Sequence, residues 1–255
     1  MNKILLVIIL SFYSVSTQAC NEHDAKTLLS ELQWQTEDYP PFNFRDETGR
    51  LVGIFPEILL LAYQDLNISL YTEEIDIIPW ARLLFNMKHY SKYAAFSMVT
   101  TKERAIEYQL LPLPFVVKSS IMVLKANKKK FKQKNLDELA IGVVRGDIGQ
   151  ALLDREKIKA FQVETNSALS MLKMLSLQRV DAIAYAEDVA YFQFNKLAIE
   201  KDSIVPFISL DEGSNINFVF HKSMPKCAIE LLAKSIEKLH KQGKVDKIRM
   251  KYIQS

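Results

Sequence analysis

The chain has 255 residues, 33 Lys and Arg against 30 Asp and Glu, a formal net charge of +3 and 49% hydrophobic residues. So even a charge balance argues against a nucleic-acid partner, and the length is too great for one small lobe but suits two compact α/β lobes. Cys20, Cys227, His23, His89, His221 and His240 are scattered without metal-site spacing, and phosphate-loop, dinucleotide and nucleophile-elbow motifs are missing from the sequence. No metal, cofactor or common catalytic signature is therefore expected.

The chain opens on a targeting pattern. Lys3 supplies a positive start, residues 4–12 an apolar run, and Thr17-Gln18-Ala19 a small-residue cleavage site, so residues 1–19 read as a signal peptide and the mature chain begins at Cys20. The apolar run falls short of the roughly 20 residues of a membrane span. The expectation is an exported, soluble, periplasmic protein. A cysteine directly after the cut raises lipid attachment as a second fate. Thr17 stands where the lipoprotein signal has leucine, which ranks that fate lower. Removing the nineteen residues from 255 leaves 236.

Residues 21–31 are polar, a short helix or arm, and residues 32–36 read as the first strand. It ends in Glu37-Asp38-Tyr39-Pro40-Pro41-Phe42. Two consecutive prolines forbid regular helix or central strand, so Tyr39 lies on a stiff loop at the carboxyl end of a strand, the edge where open α/β sheets bind ligands. Tyr39 is a candidate stacking platform. Residues 43–53 read as a hairpin with Gly49 in its turn. Pro56 is expected at the first position of a helix that buries Ile58, Leu59, Leu61, Ala62 and Leu66, and residues 67–72 as the next strand. A second helix opens at Pro79 and puts Trp80 and Arg82 at its N-terminal end, where either is a candidate to face a cleft.

The stretch 93–104, YAAFSMVTTKER, reads as a buried strand running into a helix, with Thr100 and Glu103 forming an S/T-x-x-E capping box. Arg104 then lies in the first turn, where a cation opposes the helix dipole. Two readings follow. Arg104 and the free N–H groups of the turn grip an anion, most simply a carboxylate, or Arg104 is a surface residue paired with Glu103 or Glu107.

Residues 110–124 are extended and apolar, followed by a stretch, 125–134, with six lysines that reads as a solvated loop. Residues 139–144 form a buried strand, and Arg145-Gly146-Asp147-Ile148-Gly149 leads into a helix. Its glycines and exposed N–H groups make a second candidate anion cradle. Asn166 or Ser167 caps a helix to residue 177. Residues 181–185 read as a strand in which Asp181 is structural, 187–194 as a helix, 204–210 and 217–221 as strands, and 225–240 and 244–252 as the last helices. Extended crossings near Lys118 and Gly213-Ser214 bracket the central block. The fold class is α/β, two doubly wound lobes joined by a two-strand hinge: residues 20–117 plus 213–255, and residues 118–212. Such lobes close on a ligand between them.

The chain resembles the bacterial periplasmic solute-binding proteins of family 3, the polar amino-acid-binding type, with a periplasmic-binding-protein-like type II fold. The likeness rests on Glu37 to Phe42 followed by Gly49 and Gly53, on Ser97 to Arg104, on Gly142 to Gly149, on Arg179-Val180-Asp181-Ala182, and on Gly243 to Tyr252. It implies that Tyr39 stacks on the ligand, that Ser97 and Arg104 hold its α-carboxylate, and that the N–H groups of Gly146, Asp147 and Ile148 add to the same grip. Three positions depart from the pattern. Ala186 stands where amino-acid binders usually place a carboxylate for the ligand ammonium, with Glu187 and Asp188 next, Val99 replaces a frequent serine or threonine, and Asp147 replaces a frequent hydroxyl with a group that repels a ligand carboxylate. The resemblance implies a monomeric receptor that passes a small carboxylate-bearing solute to an inner-membrane ABC permease. A sensor subunit of the same form is one alternative. A periplasmic dehydratase on this fold is another, with Glu187 as general acid near Arg104 if burial raises its pKa. With both termini in the first lobe, Cys20 and Cys227 are candidates for a disulfide that does not cross the hinge.

Overall fold

The computed structural model describes residues 20–196 and 203–253; the expected signal peptide and its cleavage site lie outside them. Asn21 opens α1 (Glu22–Ser30) with a capping box, accepting the Asp24 N–H at 2.9 Å while the Asp24 carboxylate reaches back to Asn21. After β1 (Gln33–Thr36) comes the proline loop and a small hairpin, β2 (Phe44–Arg45) and β3 (Leu51–Val52). α2 (Ile54–Asp65) begins two residues earlier than Pro56 suggests, with Gly53 at its N-cap. Pro56 is tolerated at the third helical position because the N–H groups of a first turn have no intrahelical acceptor.

No strand forms over residues 67–72. Asn67 turns the chain with φ 57°, and Ile68 packs into the core without joining a ladder. The next strand is instead β4 (Asp76–Ile77), which pairs with one edge of β1. α3 (Trp80–His89) starts after Pro79, and β5 (Tyr93–Val99) leads to α4 (Lys102–Glu107).

Two long strands, β6 (Tyr108–Leu124) and β10 (Ile204–His221), form the centre of the molecule. The residues read from sequence as two strands, 204–210 and 217–221, are one strand whose pairing with β6 shifts register repeatedly between Pro206 and Asn217. Between β6 and β10 run α5 (Lys128–Phe131), β7 (Ala140–Val144), α6 (Ile148–Arg155), β8 (Phe161–Thr165), α7 (Ala168–Ser176), β9 (Ala182–Ala186) and α8 (Glu187–Lys196). The lysine-rich stretch is thus not all loop: α5 tucks Phe131 into the core, and Lys128 Nζ donates to Pro206 O at 2.9 Å. β8 has no counterpart in the sequence reading. It is a sheet-edge strand with Phe161 and Glu164 exposed, so it lacks a continuous apolar run. α9 (Lys226–Lys241) and α10 (Lys244–Ile253) complete the described chain.

The main sheet has the order β4-β1-β5-β10-β6-β9-β7-β8. The blocks β4-β1-β5 and β9-β7-β8 are parallel, and the β10-β6 pair joins them through antiparallel contacts. The candidate residues lie at or just beyond the carboxyl ends of β1, β4, β5, β7 and β9. Around β1 the core is aromatic. The Trp34 ring lies 5.7–6.1 Å from those of Tyr63, Phe96, Phe218 and Phe220, and its indole N–H donates to Tyr63 Oη at 2.8 Å, which donates to Leu29 O at 2.9 Å. Each such buried ring contributes about 1.5–3 kcal/mol from its apolar surface, and the indole and hydroxyl are both satisfied. Cys20 and Cys227 form a disulfide that ties the chain ahead of α1 to the first turn of α9.

Candidate ligand-binding site

β5 positions the first part of the site. Met98 pairs with Asn217 and Phe96 with Phe218, which leaves Ser97 as the extra residue of a bulge, with φ 66°. Its hydroxyl donates to Asn43 Oδ1, and Asn43 Nδ2 donates to Glu37 O at 2.6 Å. The bulge therefore holds the proline loop against the end of β5. Thr100 does not cap α4. Its hydroxyl accepts from Asn217 Nδ2 at 2.8 Å, and Thr101 is the N-cap, accepting the Arg104 N–H at 3.2 Å.

Arg104 is 7% exposed, so it is not a surface residue paired with Glu103 or Glu107. Its Nη1 donates to Val99 O at 2.8 Å, its Nη2 donates to Gly146 O at 3.1 Å, and Nη2 lies 3.9 Å from Asp147 Oδ1. The guanidinium carbon sits 5.3 Å from the centre of the Trp80 ring, and Trp80 Nε1 donates to the same Gly146 carbonyl at 3.0 Å. Burial pulls the guanidinium pKa down while Asp147 pulls it back up. Arg82 lies elsewhere, stacked over Phe85 on the exposed side of α3.

The turn between β7 and α6 meets this group from the other half of the sheet. Gly146 N donates to Gln150 Oε1 at 2.7 Å, Asp147 N to Val144 O at 3.1 Å, and Ile148 N to Asp147 Oδ1 at 2.6 Å. All three N–H groups expected to cradle an anion are thus engaged within the turn, because Asp147 is itself the N-cap of α6. Gly149 has a packing reason rather than a turning one: a Cβ there would lie 1.8 Å from Ala184 O, so only glycine lets α6 approach β9 this closely.

Tyr39 is buried. It stacks on Phe42 at 5.7 Å and meets Tyr185 edge-on at 5.7 Å. Glu187 lies apart from Arg104: its Oε1 accepts from Ser120 Oγ at 2.5 Å, on β6.

Two residues at this site were not singled out from sequence. Glu37, half-buried on the proline loop, has its carboxyl pushed well above the usual range by burial, then by Asp147, with Arg104 opposing and Asp38 adding. Tyr185, at the carboxyl end of β9, has a buried hydroxyl without a hydrogen-bond partner, as do Tyr39 Oη and Asp147 Oδ2. The signal for Tyr185 was a single polar-tipped ring in the otherwise aliphatic run Ala182-Ile183-Ala184-Tyr185-Ala186. Beside these residues a cleft of ≈ 920 Å³ runs between α3, α4 and α6 and reaches Arg104 and Gly146. Lys88, Lys102 and Arg155 stand along it, with Glu103, Glu107 and Asp154 among them.

Among solved structures, the chain is similar to an amino acid ABC transporter substrate-binding protein from Streptococcus pneumoniae bound to L-arginine, with 19% identity, 91% of this chain and 98% of that one covered, and a TM-score of 0.75. An ancestral amino-acid-binding protein, described as a precursor of cyclohexadienyl dehydratase, aligns at 18% identity over 90% and 98% of the two chains with a TM-score of 0.75. A histidine kinase sensor domain with similarity to periplasmic binding proteins aligns at 14% identity over 87% and 95% with a TM-score of 0.73. At these identities the likeness shows the fold, which is that of the type II periplasmic binding proteins. Among curated proteins none matches by sequence. The profile of the bacterial extracellular solute-binding proteins, family 3, matches residues 34–255. The chain belongs to that family.

Proposed function

We propose that this protein is an exported, periplasmic receptor that closes on a small carboxylate-bearing solute, an amino acid foremost, and presents it to an inner-membrane ABC permease. The observation that carries the reading is Arg104, a buried guanidinium at the end of β5 that reaches the β7–α6 turn across the sheet. Residues 20–117 with 213–255 form one lobe and residues 118–212 the other, and the paired strands β6 and β10 are the hinge, with Lys118 and Glu212 paired across it at 3.7 Å. Tyr39, Trp80, Ser97, Arg104 and the turn at Gly146, Asp147 and Ile148 line the closure. Family membership and the L-arginine bound to the Streptococcus pneumoniae structure support an amino acid as cargo.

A sensor role shares the same closed form, and the likeness to a histidine kinase sensor domain favours keeping it as the second reading. The dehydratase reading with Glu187 as general acid is not favoured, because Glu187 lies against Ser120 instead of beside Arg104. Native mass spectrometry of protein purified from the exporting cell tests the proposal. The expected result is a bound small amino acid released unchanged. Recovery of a chemically altered product, or retention of no amino acid together with none bound on titration, overturns it.

A further inference from the structure

The groups that converge on Arg104 do not balance it. One guanidinium faces two carboxylates, Asp147, which is 5% exposed, and Glu37, so ionising both leaves this set one negative charge in surplus, and burial raises both carboxyls against it. Asp147 Oδ1 takes the Ile148 N–H and faces Arg104, but Oδ2 is buried with no hydrogen-bond partner. A carboxylate oxygen accepts and never donates, so this atom calls for a donor. Two further atoms stand unpaired independently of the carboxylates. They are the hydroxyls of Tyr39 and Tyr185, each on a side chain 1% exposed, with rings in edge-on contact at 5.7 Å. Both hydroxyls lie in the field of Asp147 and Glu37.

We propose that the site selects a solute whose cationic nitrogens outnumber its carboxylates, an ammonium or guanidinium group donating to Asp147 Oδ2 and the Glu37 carboxylate between the hydroxyls of Tyr39 and Tyr185. This rests on the reading that the solute binds at Arg104. The solute's carboxylate meets Arg104, and the added cation cancels the surplus charge. A neutral zwitterion adds no net cation, so ionising Glu37 beside it still leaves that surplus. An anionic amino acid doubles it in a site where burial already pushes the carboxyls of both Glu37 and Asp147 upward. Asp147, which repels a lone ligand carboxylate, becomes a contact once the ligand also carries the cation.

The test is calorimetric titration of refolded, ligand-stripped protein with L-arginine, L-lysine, L-glutamine and L-glutamate at one pH and salt concentration. L-arginine or L-lysine is expected to bind at least about tenfold tighter than L-glutamine, with L-glutamate weakest. Glu37→Gln, with folding checked by its melting curve, should lower the affinity for the basic amino acid about tenfold and narrow its lead over L-glutamine. Should Glu37→Gln fail to fold, Asp147→Asn is held to the same outcome. L-glutamine or L-glutamate binding as tightly as the basic pair overturns this inference and leaves the Arg104 reading standing. Binding by none of the four overturns both.

Discussion

Trp80 and Arg104 donate to one acceptor, the carbonyl of Gly146, at 3.0 and 3.1 Å. Both donors come from the block that holds β1 and β5, and the acceptor comes from the β7–α6 turn, so in the proposed function closure and ligand binding share this contact. A ligand touching both sides binds the closed form better and shifts the population towards it. Small-angle scattering should therefore give a smaller radius of gyration with saturating native ligand than without. Trp80 emission should change on the same titration, and Trp34, packed among Tyr63, Phe96 and Phe218 with its N–H bonded, should report little. An unchanged radius with binding confirmed independently removes the hinge from the proposed function.

Arg104→Ala should cost about 2–5 kcal/mol of binding, roughly thirtyfold or more, because it removes a charge-assisted pair from a water-poor site and leaves Asp147 without its cation. Isothermal titration with the solute recovered from the native protein measures this. An affinity within about threefold of wild type would take Arg104 out of the site. The melting temperature of the ligand-free variant serves as the control, since Arg104 also bonds Val99 O.

Much of this arrangement was legible because it is local. Alternating strands and capped helices marked the α/β class, and a cation in a helix's first turn marked Arg104 before any contact was known. What was lost falls into two kinds. Some local signals were near-degenerate: Thr100 and Thr101 are both competent caps, and Asn217, more than a hundred residues away in sequence, decides between them by taking the Thr100 hydroxyl. The alternation of Ile68 and Leu70 mimics a strand, yet those residues pack beside the core without a ladder partner. Other features exist only in three dimensions. Glu37 becomes notable because the fold brings Asp147 to it, and Tyr185 because Tyr39 meets its ring. The N–H cradle at Gly146 shows a signal underweighted: an Asp directly before a helix is a capping residue, and Asp147 uses its own carboxylate on the Ile148 N–H.

The disulfide closes a loop across a sequence separation of 207. Such a crosslink stabilises by restricting the unfolded chain, and reducing it should cost about 2–5 kcal/mol. Since α1 and α9 both pack on the β1 side of the sheet, reduction or Cys227→Ala should lower the melting temperature by several degrees, as about 2 kcal/mol does in a chain of this size. Ligand affinity should hold within about twofold, because neither cysteine approaches Arg104. Differential scanning calorimetry and titration of the same samples decide it. Equal melting curves with free thiols demonstrated, or a large loss of affinity, would contradict this placement of the bond.

Acidity should act on closure through Glu37. Its carboxyl is raised above the usual range in this structure, first by burial and then by Asp147, so this form takes up protons more readily than an unfolded one, or than the open form the proposed closure implies. For an acid with a raised folded-state pKa the ionised form carries the penalty, and stability of the ligand-free closed form rises as pH falls through that raised value. Carboxylates held below the usual range, such as Asp46 through Thr48 and Asp65 through Lys238, act in the opposite direction, but only at lower pH, when they too protonate. The two effects occupy separate windows. Over the interval above the ordinary carboxylate range, falling pH should raise the melting temperature of the ligand-free protein relative to Glu37→Gln, whose neutral amide cannot titrate. A cationic ligand should reverse the trend, since it favours ionised Glu37 and should bind more weakly as the carboxyl protonates. Parallel melting curves for the two proteins across that interval, with and without L-arginine, would show that Glu37 does not couple to closure.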